Sequence, residues 1–290
     1  MSHSAEKEAN EKVFLFLQGH FKAVTDGEGT IRIFRWSTTE ESNELLKEYR
    51  CHEGPIVSLR LAPIQYKPYL LSIGLDLKIN LFNLSEKHSE PVFEFSKENI
   101  DLGYFTAAEF LNCSKDALRF IVGTSSGTAL FFNSDKNFAQ EQISLGNSAV
   151  KALSAGPKES LASVCQGATP RIYFDSSFSN YIEFGANLHD SKRVVSLFFQ
   201  DSGTDEAFLI TAGEDLKVGL WLVNLASKGV SLLKDFTIRL PVVNGTWDLG
   251  GLGATLVIGK KVGSDEEVKV VRISKGIEED WALKELDIEK

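Results

Sequence analysis

Glu214-Asp215-Leu216-Lys217-Val218-Gly219-Leu220-Trp221 reads as a turn that runs into a strand. Gly213 and Asp215 suit the tight turn. Val218, Leu220 and Trp221 make an apolar, partly β-branched strand that ends on a large ring. The chain repeats this pattern. It stands at Asp26…Thr30-Ile31-Arg32-Ile33-Phe34 and at Asp76-Leu77-Lys78-Ile79-Asn80-Leu81-Phe82. Weaker copies are Gly127-Thr128-Ala129-Leu130-Phe131-Phe132, Thr169-Pro170-Arg171-Ile172-Tyr173 and Glu267-Val268-Lys269-Val270-Val271. The closing residues Phe34, Phe82, Phe132, Tyr173, Trp221 and Val271 are separated by steps of 48, 50, 41, 48 and 50 residues. A β repeat of this period predicts an all-β fold, a β-propeller with six four-stranded blades.

The expected strands follow that period. Blade one takes Val13–Leu17, Phe21–Thr25, Thr30–Trp36 and Glu44–Tyr49. Blade two takes Ile56–Leu61, Tyr69–Gly74, Ile79–Leu84 and Pro91–Phe95. Blade three takes Thr106–Leu111, Leu118–Gly123, Thr128–Asn133 and Phe138–Ser144. Blade four takes Ala149–Ser154, Ser160–Cys165, Arg171–Phe174 and Tyr181–Phe184. Blade five takes Arg193–Phe199, Ala207–Ala212, Lys217–Val223 and Val230–Phe236. Blade six takes Val242–Asp248, Ala254–Gly259, Glu267–Ile273 and Ala282–Ile288. Residues 1–12 read as a disordered tail and 13–290 as one propeller domain. The tract Lys275–Glu285 suits a short helix or an outer strand.

Composition sets limits on partners. The 290 residues suffice for a large core, and 20 phenylalanines can fill sheet-to-sheet contacts. A net charge of −9 disfavours nucleic acid or an anionic membrane as the main partner. Cys51, Cys113 and Cys165 are odd in number, widely spaced and without a CxxC pair, which predicts reduced thiols. Met1–Lys12 is polar and lacks the apolar core of a signal peptide, so a soluble protein of cytosol or nucleoplasm is expected.

Two residue sets look chemical. His52 and Asp76 lie 24 residues apart, and His189 and Asp215 lie 26 apart. Ser72 and Thr211 fall on the strands between and could complete a catalytic triad. The set occurs twice at equivalent repeat positions, which favours a hydrogen-bonded clamp tying a loop to a turn, with Trp221 closing the second blade concerned. Gly250-Gly251-Leu252-Gly253 is followed by a strand, and so reads as a hairpin turn rather than a phosphate loop. Gly123–Gly127 reads the same way. Asp265-Glu266-Glu267 and Glu278-Glu279-Asp280 read as solvated loop charge. No cluster has metal-ligand spacing, so no metal, cofactor or catalytic residue is expected.

The repeat count leaves no strand for exchange between the chain ends. Blades one and six would then each offer an apolar face at a seam that a partner covers. The residues proposed for it are Val13, Phe14, Leu15, Phe16 and Leu17 in blade one, and Leu256, Ile258, Val268 and Val270 in blade six. The alternative is that these two blades pack together.

The His…Asp…Trp/Phe pattern resembles the WD-repeat propellers. Within them, Cys51-His52-Glu53-Gly54-Pro55-Ile56-Val57-Ser58-Leu59-Arg60-Leu61-Ala62-Pro63 is similar to the second-blade opening of the Sec-thirteen family, as is Tyr66–Leu71. His189–Phe199 resembles that family's penultimate-blade opening, and Val242–Leu256 with Trp247 its last blade. The likeness spans about residues 13–290, but only the HEGP segment is close to identical; blades three and four lack the turn Asp, with Ser125 and Gln166 near those places. The resemblance implies a non-catalytic scaffold subunit of the COPII vesicle outer coat or of the nuclear-pore Y-complex, with Seh-one-type nucleoporins the close alternative. It implies an α-solenoid partner that inserts a blade into an open ring. It further implies a place on the cytoplasmic face of the endoplasmic reticulum, on vesicles or at the pore, peripheral to membrane and away from nucleic acid. The reading from another class is a free-standing WD-repeat adaptor that binds peptides in a signalling or ubiquitin complex.

Overall fold

The structure is a computed structural model that describes residues 21–35, 44–62, 68–86, 90–96, 102–111, 117–186, 188–189, 194–201, 205–247, 253–262, 265–275 and 281–286. Short runs of β-branched and aromatic residues between Gly-, Asp- and Ser-bearing turns extend into strands, and sequence neighbours pair. Blade one shows β1 (Phe21–Thr25), β2 (Thr30–Arg35) and β3 (Glu44–Arg50). Blade two is β4 (Ile56–Leu61), β5 (Tyr69–Gly74), β6 (Lys78–Asn83) and β7 (Phe93–Ser96). Blade three is β8 (Phe105–Phe110), β9 (Arg119–Thr124), β10 (Thr128–Asn133) and β11 (Ala139–Ser144). Blade four is β12 (Val150–Ala155), β13 (Leu161–Cys165), β14 (Arg171–Tyr173) and β15 (Tyr181–Glu183). Blade five is β16 (Val194–Asp201), β17 (Glu206–Gly213), β18 (Lys217–Asn224) and β19 (Gly229–Thr237). Blade six is β20 (Val242–Trp247), β21 (Gly253–Val262), β22 (Asp265–Lys275) and β23 (Trp281–Leu286). Among the described residues there is no α-helix, and the tract near 281 is the outer strand β23. The expected first strand at 13–17 and the tail 1–12 lie outside the described residues.

Most boundaries differ from the sequence expectation by a residue or two. The largest departures are in blade six, where β21 and β22 run on to Val262 and from Asp265. Their ladder continues as far as the pair Val262↔Asp265, through the polar residues Lys260, Lys261, Glu266 and Glu267, which strand propensity alone disfavours.

The described residues divide into two compact units, 1–125 with 129–142, and 126–128 with 143–290. In the first, the blade-two sheet is apolar on both faces. Leu70 of β5 joins Ile31, Ile33, Tyr49 and Phe82 towards blade one. Its neighbours Leu71 and Ile73 join Phe120, Val122, Leu130 and Phe132 towards blade three. The period of two along a strand produces this split. In the second unit, Leu209 and Trp221 pack with blade four, while Ile210, Ala212, Val218 and Leu220 pack with blade six.

One backbone feature recurs in five blades. Register shifts between Ile56 and Ser58, Phe105 and Ala107, Val150 and Ala152, Val194 and Ser196, and Val242 and Asn244. A bulge of one residue at the start of each first strand bends and twists that strand. The bulged residues are Val57, Thr106, Lys151, Val195 and Val243; four are β-branched, as strand residues commonly are, so they do not stand out from their neighbours in the sequence.

Blade three holds an aromatic stack. Phe120 and Phe132 stack with ring centroids 4.9 Å apart, and Phe93 meets them edge-on at 6.0 and 5.6 Å. Phe132 is fully buried. Phe132→Ala should therefore cost about 3–5 kcal/mol, the usual loss for a core phenylalanine. Urea unfolding checks this, and a loss below about 1 kcal/mol would mean that the stack does not hold blades two and three together.

Candidate functional site

The two His–Asp sets are assembled by local geometry. In blade two the loop before β4 carries His52 and the β5–β6 turn carries Asp76. His52 Nδ1 lies 2.9 Å from Asp76 Oδ1, and its Nε2 lies 2.9 Å from Ser72 Oγ. Asp76 also accepts the backbone N–H groups of Glu53 and Lys78, at 3.0 and 3.2 Å. In blade five His189 Nδ1 is 3.2 Å from both Asp215 oxygens, and Nε2 is 2.8 Å from Thr211 Oγ1. Trp221 Nε1–H donates to that same Thr211 oxygen at 2.9 Å.

With a neutral imidazole, these distances give every proton in blade five a direction. A carboxylate only accepts, so Nδ1 carries the hydrogen and donates to Asp215. Nε2 is then the acceptor for the threonine hydroxyl, whose oxygen in turn accepts from the indole. A neutral imidazole satisfies the whole chain of groups. Burial pushes the His189 pKa down, more strongly than the Asp215 hydrogen bond and charge push it up, which agrees with a neutral ring. At Asp76 burial pushes the carboxyl up, but the Glu53 N–H, His52 and the Lys78 N–H outweigh it and leave the pKa lowered.

The site demands glycine two residues before each Asp. A Cβ on Gly74 would stand 2.3 Å from Asp76 Oδ1 and 2.4 Å from His52 Nδ1. On Gly213 it would stand 2.2 Å from Asp215 Oδ1 and 2.7 Å from His189 Nδ1. Both are closer than any van der Waals contact, so the ion–imidazole pair occupies the space a side chain would take. A third requirement escaped the sequence reading. A Cβ on Gly219 would meet Trp221 Nε1 at 2.6 Å and Thr211 Oγ1 at 3.0 Å. The glycine lets the indole reach the hydroxyl. Blade two has Asn80 in that register, opposite Ser72 as Gly219 is opposite Thr211. Asn80 Nδ2 donates to Cys51 O at 3.0 Å and lies 3.4 Å from His52 Nε2, so an amide stands beside the imidazole where blade five has a glycine and an indole. Setting the third strands in one column would have shown Asn80 and Gly219 as exchanged partners.

The same order of groups, acid, imidazole and hydroxyl, serves catalysis in triad hydrolases. Here access decides otherwise. Ser72 and Thr211 are 0% exposed, so no substrate carbonyl can reach either oxygen. Among the described residues no three His, Cys, Asp or Glu side chains come together as a metal site.

The remaining sequence candidates scatter. Val13, Phe14, Leu15, Phe16 and Leu17 lie outside the described residues, as do Gly250, Gly251 and Leu252 and the acids 278–280. The side chains of Val268 and of the acids 265–267 also lie outside them. Leu256 and Ile258, expected at a partner seam, are buried with Ile210, Val218 and Leu220 of blade five. Cross-strand partners share a face, and the ladder pairs Leu256 with Val271 but Val257 with Val270. Val270 thus stands on the opposite face from Leu256 and Ile258, which the blade-five contact uses up.

No protein-family model matches the chain, and no curated protein matches its sequence. Among solved structures, 1245 chains match. One is the crystal structure of the β-propeller domain of Myceliophteria thermophila Cps50 (Swd1), with a TM-score of 0.70 and 15% identity. The match covers 96% of this chain and 85% of that one. At that identity it shows the fold alone: this chain is a β-propeller, and its described residues form six sheets.

Two measurements test the clamps. Gly213→Ala and His189→Ala should each lower unfolding stability by about 1–3 kcal/mol, the cost of leaving buried partners unsatisfied. Unchanged melting of both would show that the clamp contributes nothing. The pH dependence follows from the lowered His189 pKa. The unfolded chain binds this proton below its ordinary value near 6.5, whereas the folded chain does not until lower pH, so stability falls as pH drops from 6.5 towards the folded value. Asp76 adds a second loss only below about 3.8. The urea midpoint should decline between pH 7 and 5.5 in the wild type, and His189→Ala, less stable throughout, should decline less.

Proposed function

We propose that this propeller is a non-catalytic scaffold subunit completed by an α-solenoid partner, in the coat of COPII vesicles or the Y-complex of the nuclear pore. The observation that carries the non-catalytic part is the sealing of both His–Asp–hydroxyl sets, whose oxygens are fully buried and committed within the blade. The fold match supports a propeller scaffold, and the HEGP opening of blade two supports the Sec-thirteen type. A partner that adds a blade needs an apolar sheet face. On blade six the face turned away from blade five carries Val270, which is half-buried, with the exposed Arg272 one step further along β22. That face, rather than the one with Leu256 and Ile258, is the place for an inserted blade, since strand addition uses side-chain pockets on one face at a time.

Affinity purification from the source cell provides the test. An α-solenoid protein should co-elute with the chain at equal stoichiometry. Val270→Glu should release it while circular dichroism stays unchanged, because an unpaired charge in a desolvated contact costs several kcal/mol. Leu256→Ala should instead lower stability by about 2–5 kcal/mol, as a core truncation does. If Val270→Glu folds and keeps the solenoid at wild-type stoichiometry, or if no solenoid co-elutes with the wild type, the reading fails.

A further inference from the structure

The fourth strands share a position that seats a side chain on the next blade. The register sets the column. Two residues past each bulge, Leu59, Leu153, Leu197 and Gly245 pair with Ser72, Ser163, Thr211 and Leu256 of the second strands. Those pair with Asn80, Arg171, Gly219 and Val271 of the third strands. One residue on, Leu81, Ile172, Leu220 and Arg272 pair with Phe93, Ile182, Lys234 and Lys284 of the fourth. The ladder thus puts Ile273, not Val271, in the column of Trp221. Blade one joins at Ile33↔Lys47, since β2 and β18 carry the same register shift directly after this pair.

The side chains in this column reach forward. Phe93 of blade two meets Phe120, Phe132 and Phe138 of blade three, with ring centroids 6.0, 5.6 and 4.4 Å away. Ile182 packs in the cluster that joins blades four and five. Lys47 of blade one bonds the corner after the third strand of blade two: its Nζ donates to Leu84 O at 2.7 Å and to Glu86 O. Lys234 pairs with Leu220, which packs with blade six. Cross-strand partners share a face, so Lys234 points forward too.

The three lysines head one pattern: Lys47-Glu48-Tyr49, Lys234-Asp235-Phe236 and Lys284-Glu285-Leu286. Strand alternation sets the lysine and the third residue on the forward face and the acid behind. Tyr49 and Phe236 indeed pack forward, against blades two and six. Lys284 stands in the sixth blade, on the face turned away from blade five, and is exposed. It makes no hydrogen bond or ion pair among the described residues. Directly opposite it is Arg272, a second cation, and like charges so placed repel each other. Thr255, Val270, Ser274 and Ala282, also on that face, carry no charge.

We propose that Lys284 seats on a blade supplied by another chain and donates to the backbone carbonyls at the corner between that blade's third and fourth strands, as Lys47 does on blade two. The inference rests on the reading that a partner adds a blade, and names the part of it that blade six recognises. Charge selects this occupant. Two cations on an otherwise uncharged face fit an electronegative edge, and a strand corner offers carbonyl oxygens that no ladder uses.

The test is amine acylation by acetic anhydride, read by peptide mass spectrometry. Two samples are compared: the chain as assembled in extract of the source cell, and the chain purified free of other proteins. Lys228, exposed on the β18–β19 turn, is the reference for a free amine, and Lys47 for a seated one. In the purified chain Lys284 should label as fast as Lys228. In the assembly it should label at least about tenfold more slowly, about 1.4 kcal/mol of protection. Lys284→Ala should speed release of the partner at least about tenfold. Lys284→Arg, which keeps a cation with N–H donors, should stay within about threefold of the wild type. If Lys284 is protected in the assembly but no α-solenoid protein co-elutes, the solenoid reading fails and this inference stands. If a solenoid co-elutes and Lys284 labels as fast as Lys228, this inference fails alone. Protection in the purified chain would mean that the chain itself covers the face, and would overturn the proposal. Wild-type release by Lys284→Ala would overturn it as well.

Discussion

An imidazole held between a carboxylate and a hydroxyl is the constraint that ties three segments together in each of blades two and five. Such a relay survives in a dry interior because every donor points at an acceptor. It reaches across the blade: His52 sits on the loop before β4, Ser72 on β5 and Asp76 in the turn after it. Three segments are therefore fixed by one ring. A one-residue slip of β5 would turn Ser72 to the other face and leave His52 Nε2 without a donor, so the relay adds to the register that the apolar faces already specify. It also explains Gly74 and Gly213, which the relay itself displaces into having no side chain.

Other blades reach stability by different chemistry. Blade three has Val122 in the register of Ser72 and Thr211, and builds its contact to blade two from stacked phenylalanines. Magnitudes make the exchange plausible. A net hydrogen bond contributes about 0.5–1.5 kcal/mol, while a buried phenylalanine contributes about 1.5–3 kcal/mol and an aromatic pair adds about 0.5–1.5 kcal/mol. Two or three hydrogen bonds and one added ring are thus of similar worth. That equivalence is why the repeat is clear in blades two and five and faint in three and four.

The period was legible because the closing residues Phe34, Phe82, Phe132, Tyr173, Trp221 and Val271 are large or branched and the turns before them carry Gly or Asp. The His–Asp pairs were legible from spacing and duplication. What was not legible follows from the sheets' burial on both faces. Stretches such as Ala254–Ile258 read as nearly continuous apolar runs, so alternation cannot say which side meets which neighbour. Leu256 and Ile258 were therefore placed with Val270, although the ladder sets them on opposite faces. The bulges at Val57, Thr106 and their counterparts are backbone events at residues that look like any other strand residue.

Whether the acid–imidazole–hydroxyl order acts as a clamp or as a site depends on access and on where the hydroxyl proton goes. In blades two and five the proton is committed to His52 or His189, and the oxygen is sealed from solvent. In blade four Gly146 and Gly167 stand at the imidazole and carboxylate positions, and Ser163 stays as buried as Ser72 and Thr211. The Ser163 hydroxyl has no imidazole to take its proton and lies beside the Tyr173 hydroxyl instead. Cys165 keeps the strand packed where a glycine would have left a hole, so the blade stands without its clamp. A blade can thus lose two members of the relay with no change to the strands that carried it.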